Sequence, residues 1–411
     1  MVMRKTLAAI AAIAAAAATL TACDDAGPMV REVLVDFSHD EFASSMIDFF
    51  PDVVKVHGGA TVRFKQAWTG EPHSVTFGTA LNDELGDVRA RLAKEPPPDP
   101  NELTGMATID ALPAMLGRQG NEFVVNQNAA QPCYLDDGLP PTDPDEPCPK
   151  RPQPVFTGRH SYYSSGFIPY EGVTSNTFEV TLADDIEPGT YNYYCNLHGV
   201  GQSGAIEVVT SDTDVPSRGD VTRQANERVR RLYEEPLSAA LEDSERNALK
   251  IDDKRLPQPL AGVASDTTRP WGGLAHRRHF GHRHGSANEF VPKNIDANAG
   301  EKVTWTFVGR HTISFNVPAY VPVFDVSSTG RVTLDARVYE PVGWRNLPPP
   351  RTVASEPVHA DVGEWDGRGF HSTGLDWATG DTFSIAFAVP GTYPYACLIH
   401  PRMVGSVKVR A

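Results

Sequence analysis

The sequence predicts an all-β protein built as a duplication of one strand-rich module, its halves joined by a partly helical linker. Three matched blocks carry that reading. PGTYNYYCNLH at 188–198 is matched by PGTYPYACLIH at 390–400. EPHSVTF at 71–77 is matched by GRHTISF at 309–315, and YSSG at 163–166 by HSTG at 371–374.

Each copy of the middle block follows an apolar alternating run, Thr61–Lys65 or Lys302–Phe307, rich in β-branched and aromatic residues. Such alternation predicts strands. A glycine turn precedes each, His57-Gly58-Gly59 or Asn298-Ala299-Gly300, and before the turn stands another strand-like run, Val53–Val56 or Asn294–Ala297. Further strands are expected from near Phe178 and near Phe383. The first module carries a long insertion over 81–154, opening with a helix that places Leu81, Leu85, Val88 and Leu92 on one side. The second has a loop-rich insertion from Pro318 to Gly363. Loops of that length on a β-module shape a surface or an interface. Between the modules, the charged stretch Asp220–Lys250 reads as two short helices split by Pro236.

At the N-terminus, Arg4 and Lys5 precede an apolar run from Leu7 to Leu20, too short for a membrane span and typical of an export signal. It ends in Leu20-Thr21-Ala22-Cys23, which resembles a bacterial lipobox; the resemblance implies lipidation of Cys23 and a tether to the cell membrane, on the periplasmic or extracellular side. The alternative is an ordinary signal peptide with Cys23 incidental. The expected organisation is a signal peptide over 1–22, a tether over 23–29, a first module over 30–211, a helical and His-rich linker over 212–284, and a second module over 285–411. The formal net charge is −15, and residues 1–22 contribute only positive charge, so the exported chain is more acidic still. An acidic surface repels phosphates and argues against nucleic acid as a partner.

Five cysteines divide by context. Cys133 and Cys148 lie in PCYLDDGLPPTDPDEPCP, a stretch without periodicity that a disulfide would staple by roughly 3 kcal/mol in the chain-entropy picture. Two free thiols, or half of a metal site, are the alternatives. Cys195 and Cys397 both stand in CxxH, each with a histidine, His73 or His311, about a hundred residues upstream on the loop after another strand. That is not the paired arrangement of a structural zinc site. One thiolate, two imidazoles and a weak axial donor form the trigonal set of blue copper.

On these residues both modules resemble cupredoxins of the plastocyanin and amicyanin kind. The resemblance implies two Greek-key β-sandwiches, each with one type 1 copper at one end, working in electron transfer with redox proteins that dock transiently. It implies His311, Cys397, His400 and Met403 as ligands in the second module, with His-Pro-Arg-Met spaced as in amicyanin. In the first it implies His73, Cys195 and His198. That ligand loop lacks methionine, and Gln202 falls near the axial position, as in stellacyanin-like cupredoxins. His198 and His400 are expected near the surface as electron ports. Ser74 and Thr312, next to the upstream histidines, are placed to tie the two ligand loops together by hydrogen bonding.

Two-domain copper enzymes of this kind place a histidine directly before the type 1 cysteine or use HxH pairs. Here Tyr194 and Ala396 stand there, so no catalytic role is expected. Copper storage or delivery shares every ligand with electron transfer. The run His276-Arg277-Arg278-His279-Phe280-Gly281-His282-Arg283-His284 reads either as metal capture or as a cationic linker.

Overall fold

The computed structural model describes residues 29–411 apart from 38–42, 67–71, 93–115, 120–121, 126, 131–153, 169–175, 236, 240, 243–259, 265–283, 319–320, 322, 327–331, 345–346, 348–356, 376, 378–379 and 401. Cys23, Cys133, Cys148 and the histidine-rich run up to Arg283 lie outside the described residues.

Strands dominate, as the alternation predicts, and they form two sandwiches of the same design. In the first, one sheet runs Thr177–Thr181, Thr61–Gln66, Val30–Val35, Phe49–Phe50; the other runs Val53–His57, Gly199–Val209, Gly189–Cys195, Thr76–Phe77, Tyr163–Ser164. The second sandwich repeats the latter order strand for strand: Asn294–Asn298, Val404–Arg410, Gly391–Ala396, Ser314–Phe315, His371–Ser372. Its opposing sheet runs Ser44–Ile47, His284–Val291, Leu260–Ala264, Lys302–Phe307, Thr382–Phe387, His359–Trp365.

Sequence and packing agree along these strands. Val62 and Phe64 point inward and are buried, as are Val303, Trp305 and Phe307. The period of two puts their neighbours on the outer face. The cores are matched ring for ring. Tyr193 meets Phe49 at 4.8 Å and Phe64 at 5.0 Å edge to face; Tyr395 meets Phe290 at 4.6 Å and Trp305 at 5.3 Å in the same way. Such pairs add roughly 0.5–1.5 kcal/mol each beyond the area they bury. The glycine turns are formed as expected, with φ of 76° at Gly59 and 77° at Gly300, where an L side chain would be strained.

Several strands lie where the sequence suggests none, among them the antiparallel pairs Leu116–Gln119 with Glu122–Val125 and Phe324–Val326 with Val332–Leu334 in the two insertions, and two more belong to the second sandwich. Leu260–Ala264, within the expected linker, pairs parallel with Lys302–Phe307, as Val30–Val35 pairs parallel with Thr61–Gln66. It is the first strand of the second sandwich. Ser44–Ile47 leaves the first half of the chain and pairs antiparallel with His284–Val291, so it extends a sheet of the other sandwich. The helix Arg218–Val229, capped by Ser217 and Asp220, runs into a π turn over Arg230–Glu234. It buries Ala225 and Val229 in a cluster with Met46, Phe50, Ala287 and Val291, which draws on both halves. Arg228 on this helix reaches Asp48 (2.9 Å) and Asp52 (3.2 Å).

The insertions also meet. Ala129, Ala130 and Phe167 from the first half pack with Val332 from the second, and Phe167 lies 4.8 Å from Phe324. Leu197, inside the first CxxH loop, packs against this cluster.

Candidate metal centres

In each sandwich the strand ending at the cysteine lies beside the short strand that follows the upstream histidine: Tyr194 pairs with Thr76, and Ala396 with Ser314. The cysteine and downstream histidine occupy the turn into the next strand, Gly199–Val209 or Val404–Arg410. Register therefore brings together residues more than eighty positions apart. In the first sandwich His73 Nδ1 lies 3.1 Å from His198 Nδ1, and Cys195 Sγ lies 4.0 Å and 3.6 Å from those nitrogens. In the second, His311 Nδ1 is 3.0 Å from His400 Nδ1, with Cys397 Sγ at 4.0 Å and 3.5 Å. Among the described residues these are the two groups of histidine, cysteine and carboxylate side chains close enough to share an ion.

The Ser74 N–H donates to Cys195 Sγ at 3.3 Å and the Thr312 N–H to Cys397 Sγ at 3.4 Å, which suits a thiolate acceptor. Ser74 Oγ accepts from the Asn196 N–H at 2.7 Å, and Thr312 Oγ1 from the Leu398 N–H at 2.8 Å. These hydroxyls tie the two ligand loops together in both sandwiches.

Burial alone would raise both thiols, yet the paired imidazoles hold Cys195 and Cys397 well below the usual thiol range. Burial also pulls the imidazoles down. His311 follows it and is lowered. His73 does not: hydrogen bonds to Asp36 and Cys195 outweigh burial and push it up to about 9. The difference lies behind the ring. His73 Nε2 is 3.1 Å from Asp36 Oδ2, whereas His311 Nε2 is 3.1 Å from the Val308 carbonyl. Nothing in the sequence singles out Asp36, because the second module has no counterpart.

The fourth donor differs between the sites. Gln202 is fully buried, with Oε1 2.9 Å from His73 Nδ1 and 3.0 Å from His198 Nδ1, so its amide oxygen faces the space the ligand atoms enclose. Its Nε2 donates to the Asp48 carbonyl at 3.3 Å. Met403 is also fully buried and is held to the ligand loop by its backbone, donating to the His400 carbonyl (3.1 Å) and accepting from the Cys397 N–H (3.0 Å).

The two downstream imidazoles, expected near the surface, differ in exposure. His198 is half-buried, but His400 is only 4% exposed. Leu197, beside His198, packs against the cluster formed where the insertions meet, and Ile399, beside His400, belongs to the core cluster that takes in Val338 and Tyr339 of the second insertion.

The donor set fits a single copper ion. One thiolate sulfur and two imidazole nitrogens, all within 4.0 Å of one another in each group, would hold a single ion between them, the soft sulfur suiting Cu(I) and the imidazoles either oxidation state. The strand order, the Cys-His-His triangle and its place on the turn decide the class of fold. Both sandwiches are cupredoxin-like.

Solved structures similar to the chain are cupredoxins. They include a purple cupredoxin from Nitrosopumilus maritimus (18% identity over 37% of this chain and 98% of that one, TM-score 0.16). Oxidised plastocyanin from Dryopteris crassirhizoma matches at 23% identity over 30% and 89%, TM-score 0.16. Amicyanin from Paracoccus versutus matches at 18% over 30% and 73%, TM-score 0.14. No protein-family model matches the chain, and no curated protein matches it significantly.

Proposed function

We propose that this chain is an exported, lipid-anchored electron carrier with one type 1 copper in each cupredoxin-like sandwich, held by His73, Cys195, His198 and Gln202 in the first and by His311, Cys397, His400 and Met403 in the second. The observation that carries the reading is the pair of Cys-His-His triangles, each with its cysteine and upstream histidine buried. Copper bound there supplies a one-electron couple. The protein's part is to keep the donors still. Two strands and a hydroxyl fix each loop, so little needs to move when the charge changes, and burial keeps water away from the thiolates. The half-buried His198 is the more accessible imidazole for a docking redox partner.

Copper delivery, by contrast, needs ligands that an acceptor protein can reach and exchange. His73, Cys195, His311 and Cys397 are at most 6% exposed, which favours resident copper. The apolar run ending at Cys23 supports export and a membrane tether, which intact-mass measurement of the exported protein tests directly. For the electron-transfer reading, the test is a visible spectrum with copper quantitation and reductive titration. Two coppers per chain, an intense thiolate-to-copper band and one electron taken up per copper are expected. A colourless protein holding zinc in both sites would overturn it.

A further inference from the structure

The two candidate sites share their first ring of donors and differ in what stands behind the upstream histidine. In the second sandwich the far nitrogen of His311 meets a neutral backbone carbonyl. In the first, the far nitrogen of His73 meets a carboxylate, and both side chains are fully buried.

Asp36 is built into that position. It follows the strand Val30–Val35 with φ of 62°, a left-handed conformation unusual outside glycine. Its Oδ1 accepts from the N–H of Phe37 and from that of Met46 (2.7 Å), which leaves Oδ2 facing the imidazole. Its own N–H donates to the Asp48 carbonyl at 3.1 Å, the carbonyl that also receives Gln202 Nε2. Met46 lies in the strand that crosses to the second sandwich. The carboxylate is thus fixed by backbone on two sides.

Building on the copper reading, we infer that Asp36 is a positioning residue for the first site, which keeps the Nε2 proton on His73, aims Nδ1 at the metal and makes this site favour the oxidised ion more than the second site does. A carboxylate behind a ligating imidazole fixes its tautomer and raises its basicity. Water does not screen the negative charge there, so the higher positive charge of Cu(II) gains more from it than that of Cu(I). The Val308 carbonyl can fix a tautomer but carries no net charge.

The test uses the full chain carrying Cys397→Ser, which leaves the first site alone, with and without Asp36→Asn. The asparagine keeps the shape and an acceptor oxygen and removes the charge. The expected result is an intact thiolate-to-copper band with the Cu(II)/Cu(I) equilibrium moved at least tenfold toward Cu(I), a rise of 59 mV or more for a one-electron couple. An unchanged potential with the band intact overturns the inference and leaves the copper reading standing. A Cys397→Ser parent that binds no copper overturns both. If Asp36→Asn does not fold, the wild-type Cu(I) protein decides by proton NMR. A His73 Nε2–H resonance farther downfield and slower to exchange than that of His311 supports the inference, and coincident behaviour overturns it.

Discussion

Gln202→Met should raise the potential of the first site by about 60–120 mV. Gln202 Oε1 stands within 3.0 Å of both ligating nitrogens and belongs to a fully buried side chain, so the substitution exchanges an oxygen for a sulfur at the edge of the donor triangle. An amide oxygen is the harder donor and favours Cu(II); a thioether favours Cu(I). The exchange changes a proposed donor itself, and a shift of about 10–100-fold in the preference for Cu(II) over Cu(I) gives that range, since a one-electron couple moves about 59 mV for each factor of ten. The structural cost is the Gln202 Nε2 bond to the Asp48 carbonyl, about 1 kcal/mol, which a domain of this size tolerates. Potentiometric titration of Cys397→Ser and Cys397→Ser/Gln202→Met, followed at the thiolate-to-copper band, measures the shift. The unmodified first site should also titrate below the Met403 site isolated by Cys195→Ser. No change on substitution, or equal potentials at the two isolated sites, would refute the axial argument. Since Gln202 and Asp36 meet at His73 and at the Asp48 carbonyl, their effects should not add, and the double variant measures that coupling.

Three further outcomes follow from the structure. In the metal-free protein His73 is raised from 6.5 to about 9, so its protonation stabilises the fold fully below about 6.5 and that contribution is lost as pH rises through about 9; His311 is lowered. Copper must displace the His73 proton, so calorimetry across pH 7–9 should show first-site affinity climbing by about tenfold per unit relative to the second site, and parallel curves would contradict it. Arg228→Met leaves the buried Asp48 carboxylate, already raised by burial, without its cation and should destabilise the chain by about 3–5 kcal/mol in denaturant titrations; a loss under 1 kcal/mol would mean the pair is not desolvated. Thiol labelling of the unfolded, metal-free protein without reductant should find Cys195 and Cys397 free, and labelling at Cys133 and Cys148 as well would remove the expected disulfide.

The candidate sites were legible because metal ligation and strand register both leave local marks. CxxH after a Pro-Gly-Thr-Tyr strand, with a histidine before a second strand, recurs in both modules, and the fold brings the six residues into two triangles. Ser74 and Thr312 were legible for the same reason, since a hydroxyl beside the upstream histidine occurs in both. What the two halves do not share left little trace. Leu260–Ala264 is a short apolar run with a glycine inside it, and only its partners Phe290 and Phe307 make it a strand. Ser44–Ile47 has no alternation, and its partner lies about two hundred and forty residues away.

The asymmetry of the two sites comes from these unshared parts. The segment from Asp36 to Asp52 meets His73 through Asp36, receives Gln202 at the Asp48 carbonyl and binds Arg228 through the Asp48 and Asp52 carboxylates. Between those points it gives a strand to the second sandwich. Two of the four first-site donors therefore lean on a segment that is itself held by the other half of the molecule. The second site leans on its own sandwich, through the Val308 carbonyl and the backbone of Met403. Loosening the contact between the halves should accordingly broaden or shift the first site's spectrum before the second's. Ala287→Asp, a charge placed in the buried cluster between them, tests this directly, and equal disturbance of both sites would show that the first site does not depend on the joint.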